Sequence, residues 1–168
     1  MPDIIDVSGS TILLVDDSPA SSMFISLILK KNSDYRTVRI WEGTACLKKA
    51  KEVKPDLILL DIQMPVMNGI EVCKVLKKDE QTRDIPVIFV TASTDDETLK
   101  EAFESGGTDY VRKPVNKIEL LARVKSVLYH KRLEKKLVEE EKVSSALEMA
   151  GAICHELNQP MQVVSGYS

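Results

Sequence analysis

Asp56-Leu57-Ile58-Leu59-Leu60-Asp61-Ile62-Gln63-Met64-Pro65-Val66-Met67-Asn68-Gly69 decides the fold of this 168-residue chain. Four consecutive branched apolar residues bounded by acids read as a strand buried on both faces, as in the centre of a parallel sheet. Open parallel sheets keep their ligand crevice outside the carboxyl ends of the strands. Asp61, just past such an end, is therefore held by rigid backbone and faces solvent. Pro65, Asn68 and Gly69 supply a turn, and a helix is expected from about Ile70 to Lys78.

Toward the N-terminus, Thr11 to Val15 repeats the pattern and ends in Asp16-Asp17. Ser18 as N-cap and Pro19 at the first helical position predict a helix to about Lys31, with Phe24, Leu27 and Ile28 on one face. Arg36 to Ile40 reads as a second strand, and Thr44 to about Val53 as a helix ending before Pro55. Toward the C-terminus, Val87-Ile88-Phe89-Val90 is a fourth strand ending at Thr91-Ala92. Thr94-Asp95-Asp96-Glu97 has the spacing of a capping box, and Gly106-Gly107 stops the helix it opens. Asp109 to Arg112 is a short fifth strand closed by Lys113-Pro114, and residues 1–10 read as a loose, flexible tail.

Strands alternating with helices predict an α/β fold, a five-stranded doubly wound parallel sheet of the flavodoxin-like order 2-1-3-4-5. In that order Asp16, Asp17, Asp61, Thr91 and Lys113, all at strand ends, converge. Three carboxylates brought close repel one another and resist ionising unless a cation is present. A hard ion such as Mg²⁺ suits oxygen ligands of this kind, and Lys113 adds a compact charge for a phosphoryl oxygen. Thr91 offers a hydroxyl, and Asp61 is the natural nucleophile for phosphoryl transfer. Taken singly, each piece is ordinary: an Asp pair caps helices and a Lys-Pro pair makes turns. Their joint placement carries the reading.

The totals narrow the classes. A hydrophobic content of 43% over 168 residues supports one good core plus a short extension. A net charge of -3 with no basic stripe gives no reason to expect nucleic acid as a partner. Cys46, Cys73 and Cys154 are odd in number and far apart, which argues against a disulfide framework or a zinc site and fits reduced thiols in cytoplasm. The first ten residues lack a signal-peptide pattern, and no apolar run is long enough for a membrane span in this segment.

Leu14-Val15-Asp16-Asp17-Ser18, Leu59-Leu60-Asp61-Ile62-Gln63-Met64-Pro65-Val66-Met67-Asn68-Gly69, Val90-Thr91-Ala92 and Asp109-Tyr110-Val111-Arg112-Lys113-Pro114 together resemble the receiver domain of two-component response regulators. The resemblance covers about residues 10 to 130. It implies that Asp61 accepts a phosphoryl group from a phosphohistidine of a histidine kinase or phosphotransfer protein. It implies that Asp17, Asp61 and the Gln63 backbone carbonyl bind Mg²⁺, with Asp16 acting largely through water. By it, Thr91 and Lys113 contact the phosphoryl oxygens, the Lys113-Pro114 bond is cis, and Thr91 and Tyr110 shift together on phosphorylation. Residues alone would make Tyr110 a core tyrosine, Trp41 a packing residue near the second strand and His130 a surface residue.

From Asn116 onward the chain has no Gly or Pro until Gly151 and is rich in Leu, Lys and Glu, which predicts one long helix running past the domain. The expected limits are 11–130 for the receiver and 131–168 for a coiled-coil linker. Leu133 and Leu137 form one apolar seam, and Val143, Ala146, Ala150, Ile153 and Leu157 a second, out of register with it. The Glu139-Glu140-Glu141-Lys142 patch would mark a stutter between them. His155-Glu156-Leu157-Asn158-Gln159-Pro160 resembles the H-box of the dimerisation and phosphotransfer helix of sensor histidine kinases. This implies phosphorylation of His155 with Glu156 as general base, in a parallel homodimer along the helix. The segment stops short of an ATP-binding domain, so the expectation is a truncated hybrid kinase. Two other readings stand beside it: a stand-alone regulator whose helical arm docks a protein, and a Mg²⁺-dependent phosphohydrolase. The second lacks the Asp-x-Asp arrangement of the best-known aspartyl phosphatases.

Overall fold

The computed structural model describes residues 4–93 and 95–167, with side chains as far as residue 153. The elements run β1 (Thr11–Val15), α1 (Pro19–Asn32), β2 (Arg36–Ile40), a 3₁₀ turn (Gly43–Ala45), α2 (Cys46–Val53), β3 (Leu57–Asp61), α3 (Gly69–Lys78), β4 (Val87–Thr91), α4 (Asp96–Glu104), β5 (Asp109–Arg112) and α5 (Lys117–Tyr167). All four ladders are parallel and the strand order is β2-β1-β3-β4-β5. This is the flavodoxin-like α/β arrangement expected from alternating strands and crossover helices, with a long C-terminal helix.

β3 and β4 are buried at every position, because helices cover both faces of the sheet. Side-chain alternation sorts each strand between two cores. Ile12, Leu14, Leu57 and Leu59 pack with Ile25, Ile28 and Leu29 of α1 and Leu120, Val124 and Leu128 of α5. Leu13, Val15, Ile58 and Leu60 pack with Cys46 and Ala50 of α2, Val72, Cys73 and Leu76 of α3 and Ala102 of α4. Cys46 and Cys73 are free and buried. Burial pushes the Cys46 thiol up to about 12, with Cys73 adding to the rise, and burial raises Cys73 as well. Neither is a thiolate at neutral pH.

Three local expectations are corrected. The buried face of α1 is Ser22, Ile25, Ile28 and Leu29, whereas Phe24 and Leu27 are half exposed. The stripe i, i+3, i+6, i+7 toward the sheet lies one residue round from the pair picked by hydrophobicity alone. The cap of α4 is Asp95, whose carboxylate accepts from the Glu97 N–H at 3.2 Å and the Thr98 hydroxyl at 3.1 Å; Thr94, the expected cap, lies outside the described residues. The stretch before β1 is tied down at Val7 and Ser10, while Ile4 is 93% exposed. Val7 belongs to the core, and buried Ser10 donates to the Val7 carbonyl at 2.6 Å.

The chain divides into two compact units, Met1–Lys131 and Arg132–Ser168. In the first, the Asn116 side chain caps α5 by accepting from the Glu119 N–H at 3.0 Å. His130 is exposed, its Nδ1 2.7 Å from the Ser126 carbonyl. In the second, the side chains from Leu137 to Ile153 are exposed. No helix among the described residues is long and apolar enough to cross a membrane.

Candidate functional site

Parallel strands end on one edge, and the order β2-β1-β3-β4-β5 makes β1, β3, β4 and β5 neighbours there. Ladder register pairs Val15 with Leu60, Asp61 with Val90, and Thr91 with Arg112, so the residues following each pair share one rim. The β3–α3 turn folds tightly back on β3. Gly69 donates its N–H to the Ile62 carbonyl at 2.8 Å, and a Cβ on Gly69 would overlap the Asp61 carbonyl oxygen. Only glycine permits this approach. In the same turn Val66 stands at φ 69° and is 95% exposed, a strained setting for a β-branched residue.

Asp16, Asp17 and Asp61 each offer a carboxylate oxygen, and the three lie within 4.8 Å of one another. Asp17 is exposed, whereas Asp16 and Asp61 are buried; Asp61 stands at the strand end as expected but does not face solvent as that position suggested, because the Lys113 and Asp16 side chains close over it. The Lys113 ammonium reaches Asp16 Oδ2 and Asp61 Oδ2, each at 3.2 Å. Its position is set from below, because the Lys113 N–H donates to the Thr91 carbonyl at 2.8 Å, extending the β4–β5 ladder by one bond. The Lys113-Pro114 bond is cis. Asp16 Oδ1 accepts the Ser18 N–H at 2.9 Å, and Asp61 Oδ1 accepts the Gln63 N–H at 3.2 Å.

Burial pushes the Asp61 carboxyl up to about 6; Lys113 pulls against the rise and Asp16 adds to it. Burial by itself would lower the Lys113 pKa, but Asp61 and Asp16 together outweigh it and the net shift is upward. One cation among three carboxylates leaves the rim short of positive charge.

Thr91 is fully buried at the end of β4, and its hydroxyl oxygen accepts the Ser93 N–H at 2.9 Å. Tyr110 is half-buried, a departure from a plain core tyrosine. Its ring lies 5.9 Å edge-on from Phe103 of α4, with the guanidiniums of Arg112 and Arg123 at 5.9 and 5.8 Å from its centroid. Arg123 also grips both oxygens of Asp109, at 3.0 and 2.9 Å, and Glu119 at 3.2 Å. In the sequence, Arg123 carries one local signal, its i+4 spacing from Glu119. Trp41 is half exposed beside Arg39, just past the end of β2. His155 and Glu156 lie outside the residues whose side chains are described.

Known proteins resemble this chain over the same region. DNA-binding response regulator MtrA of Mycolicibacterium smegmatis is 39% identical over 123 residues, covering 73% of this chain and 52% of MtrA. Hybrid signal transduction histidine kinase D of Dictyostelium discoideum is 36% identical over 129 residues, 77% of this chain and 8% of that protein. This chain thus spans about half the length of the first relatives it matches, and far less of the hybrid kinase. Among solved structures, the receiver domain of a sensor histidine kinase from Pseudomonas aeruginosa PAO1, with a magnesium ion coordinated in its active site cleft, superposes with a TM-score of 0.67 at 27% identity, covering 72% of this chain and 98% of that one. The response regulator receiver domain profile matches residues 12–125, well over half of the chain and every element that builds the acidic rim. The chain therefore belongs to the response regulator receiver domain family.

Proposed function

We propose that this chain accepts a phosphoryl group on Asp61 from a phosphohistidine, with Mg²⁺, and that the modification regulates its C-terminal helix. Membership of the receiver family places the protein in phosphorelay signalling through an aspartate. The observation that carries the residue assignment is the meeting of three carboxylates with the Lys113 ammonium at the sheet rim.

The donor set fits a small hard dication: it is all oxygen and carries more negative charge than Lys113 balances. Asp17, Asp61 and the Gln63 carbonyl would hold Mg²⁺. Asp16, whose two oxygens already accept from Ser18 and Lys113, would act through water. The magnesium reported in the Pseudomonas receiver supports the choice of ion. When bound, the ion supplies positive charge to the phosphoryl oxygens. A carboxylate oxygen of Asp61 attacks phosphorus, the phosphorus–nitrogen bond to the donor imidazole breaks, and the electron pair leaves with that nitrogen. Lys113 moves from sharing Asp61 to holding a phosphoryl oxygen. Thr91, with its oxygen engaged by Ser93, keeps its hydroxyl proton for another. Tyr110, which touches α4 through Phe103 and α5 through Arg123, would follow Thr91 and report the change to those helices.

The test is labelling by a small-molecule phosphodonor, with and without Mg²⁺. Wild type should label only with the ion and Asp61→Asn should not label; equal labelling of the two overturns the assignment.

For the C-terminal region the reading is a hybrid arrangement. α5 continues as a parallel homodimeric helix carrying His155 as a phosphorylatable histidine beside Glu156. The H-box spacing and the resemblance to a hybrid kinase support it. The MtrA resemblance favours the rival, a stand-alone regulator whose arm docks another protein. A separately supplied ATP-binding kinase domain that labels His155 selects the first; unlabelled His155 selects the second.

A further inference from the structure

In the function proposed above Tyr110 carries the state of the site outward, and its ring is held from three elements. Phe103 of α4 meets it edge-on, Arg112 shares its strand, and Arg123 comes to it from α5. The ring packs on the face of the sheet covered by α2, α3 and α4, whereas α5 packs on the other face through Leu120 and Val124. β5 is an edge strand. The Arg123 side chain therefore reaches the ring around the open edge of the sheet, on the side away from β4.

It arrives braced. Nη1 donates to the two Asp109 oxygens at 3.0 and 2.9 Å and Nε to Glu119 Oε1 at 3.2 Å, which pins two of the three guanidinium nitrogens and so the plane of the group. Asp109 Oδ1 also accepts the Tyr110 N–H at 2.8 Å, so one carboxylate anchors both the backbone of the tyrosine and the cation beside its ring. The guanidinium carbon lies 5.8 Å from the ring centroid, within the range over which a cation is drawn to an aromatic face.

We propose that Arg123 is a positioning residue that holds the Tyr110 ring at the sheet edge and thereby sets the resting bias of the receiver. This rests on the reading in which Tyr110 follows Thr91 when Asp61 is modified. Thr91 lies on β4, on the inner side of β5, and is fully buried. Movement of the ring toward it withdraws the ring from Arg123, which its Asp109 and Glu119 contacts keep at the edge. The modified state thus forfeits a contact that the resting state keeps. By linkage, whatever weakens the hold of Arg123 on Tyr110 favours a phosphoryl group at Asp61. A merely structural ion pair carries no such coupling.

The experiment measures the affinity of the whole chain for beryllofluoride, a tetrahedral mimic of a phosphoryl group, in the presence of Mg²⁺. Arg123→Met should bind it about threefold more tightly than wild type, the scale of one partly exposed contact between a cation and a ring. Asp109→Asn, which loosens the anchor, should shift the affinity in the same direction. Arg123→Lys, which keeps a cation in place, should fall between wild type and Arg123→Met. In a Tyr110→Leu background Arg123→Met should make no difference. With fluorotyrosine incorporated and the Tyr110 signal assigned through Tyr110→Phe, the fluorine resonance of unliganded Arg123→Met should move part of the way to its beryllofluoride-bound position. Equal or weaker binding by Arg123→Met, or tightening that persists without the Tyr110 ring, overturns the role of Arg123 and leaves Asp61 as the site. Absence of Mg²⁺-dependent binding in wild type overturns the reading of the site and this proposal with it.

Discussion

Leu59 in β3 and Leu147 in α5 are the same side chain in opposite circumstances: one is 0% exposed and the other 67%. Around Leu59 the chain closes on itself, since strands β1 and β4 flank it and helices cover both faces. Leu147 lies in a helical unit whose described side chains from Leu137 on are exposed, so that unit supplies it no core of its own. The receiver is therefore specified by a core within one molecule, whereas on the homodimer reading proposed above the arm would be completed by association and only its state would depend on concentration.

The widest separation should come from those two leucines. Leu59→Ala should cost about 4 kcal/mol through lost burial and a residual cavity, whereas Leu147→Ala in a dilute monomer should stay within about 0.5 kcal/mol. Urea unfolding followed by Trp41 fluorescence reads both, and similar losses would erase the contrast.

Next comes the rim, where burying a carboxyl group costs stability. Burial raises Asp61 to about 6 from 3.8, so the folded protein holds this proton more tightly than the unfolded chain. Stability therefore falls as pH rises through about 4 to 6, and the penalty is complete above that window. Without divalent cation, Asp61→Asn should stabilise the protein by about 3 kcal/mol at pH 7, with the gain gone at pH 4. Chemical denaturation at the two pH values checks this; a gain independent of pH would remove ionisation as its cause. Lys113→Met should act the other way. It leaves Asp16 and Asp61 without their shared cation and should cost about 2 kcal/mol at pH 7, less than a fully buried pair because Lys113 is 22% exposed. The smallest expected effect is at the turn. Val66→Asn, keeping φ 69° with a residue that tolerates it, should stabilise by about 1 kcal/mol. A loss there would show that Val66 holds the turn by contact.

The strands were legible because residues buried on both faces leave a continuous apolar run, as in Leu57 to Leu60, and because Asp61 and Thr91 sit at the point where such a run stops. Helix faces were less so. Phe24 and Leu27 attract attention as large apolar residues, yet they are half exposed, and the smaller Ser22 shares the buried stripe with Ile25 and Ile28. Arg123 was not legible at all as a neighbour of Tyr110, because its partners Asp109 and Tyr110 are distant in sequence and meet it only through β5 and α5.

By itself, the sequence determined the element order, the sheet type and the identity of the acids at the strand ends, since periodicity, burial pattern and turn chemistry are local properties of the chain. Tertiary structure alone decided that Lys113 stands 3.2 Å from both Asp16 and Asp61, that Asp61 is raised to about 6, and that Val7 joins the core. Distances between groups far apart in sequence, and the desolvation that sets their charge, exist only once the sheet has brought them together.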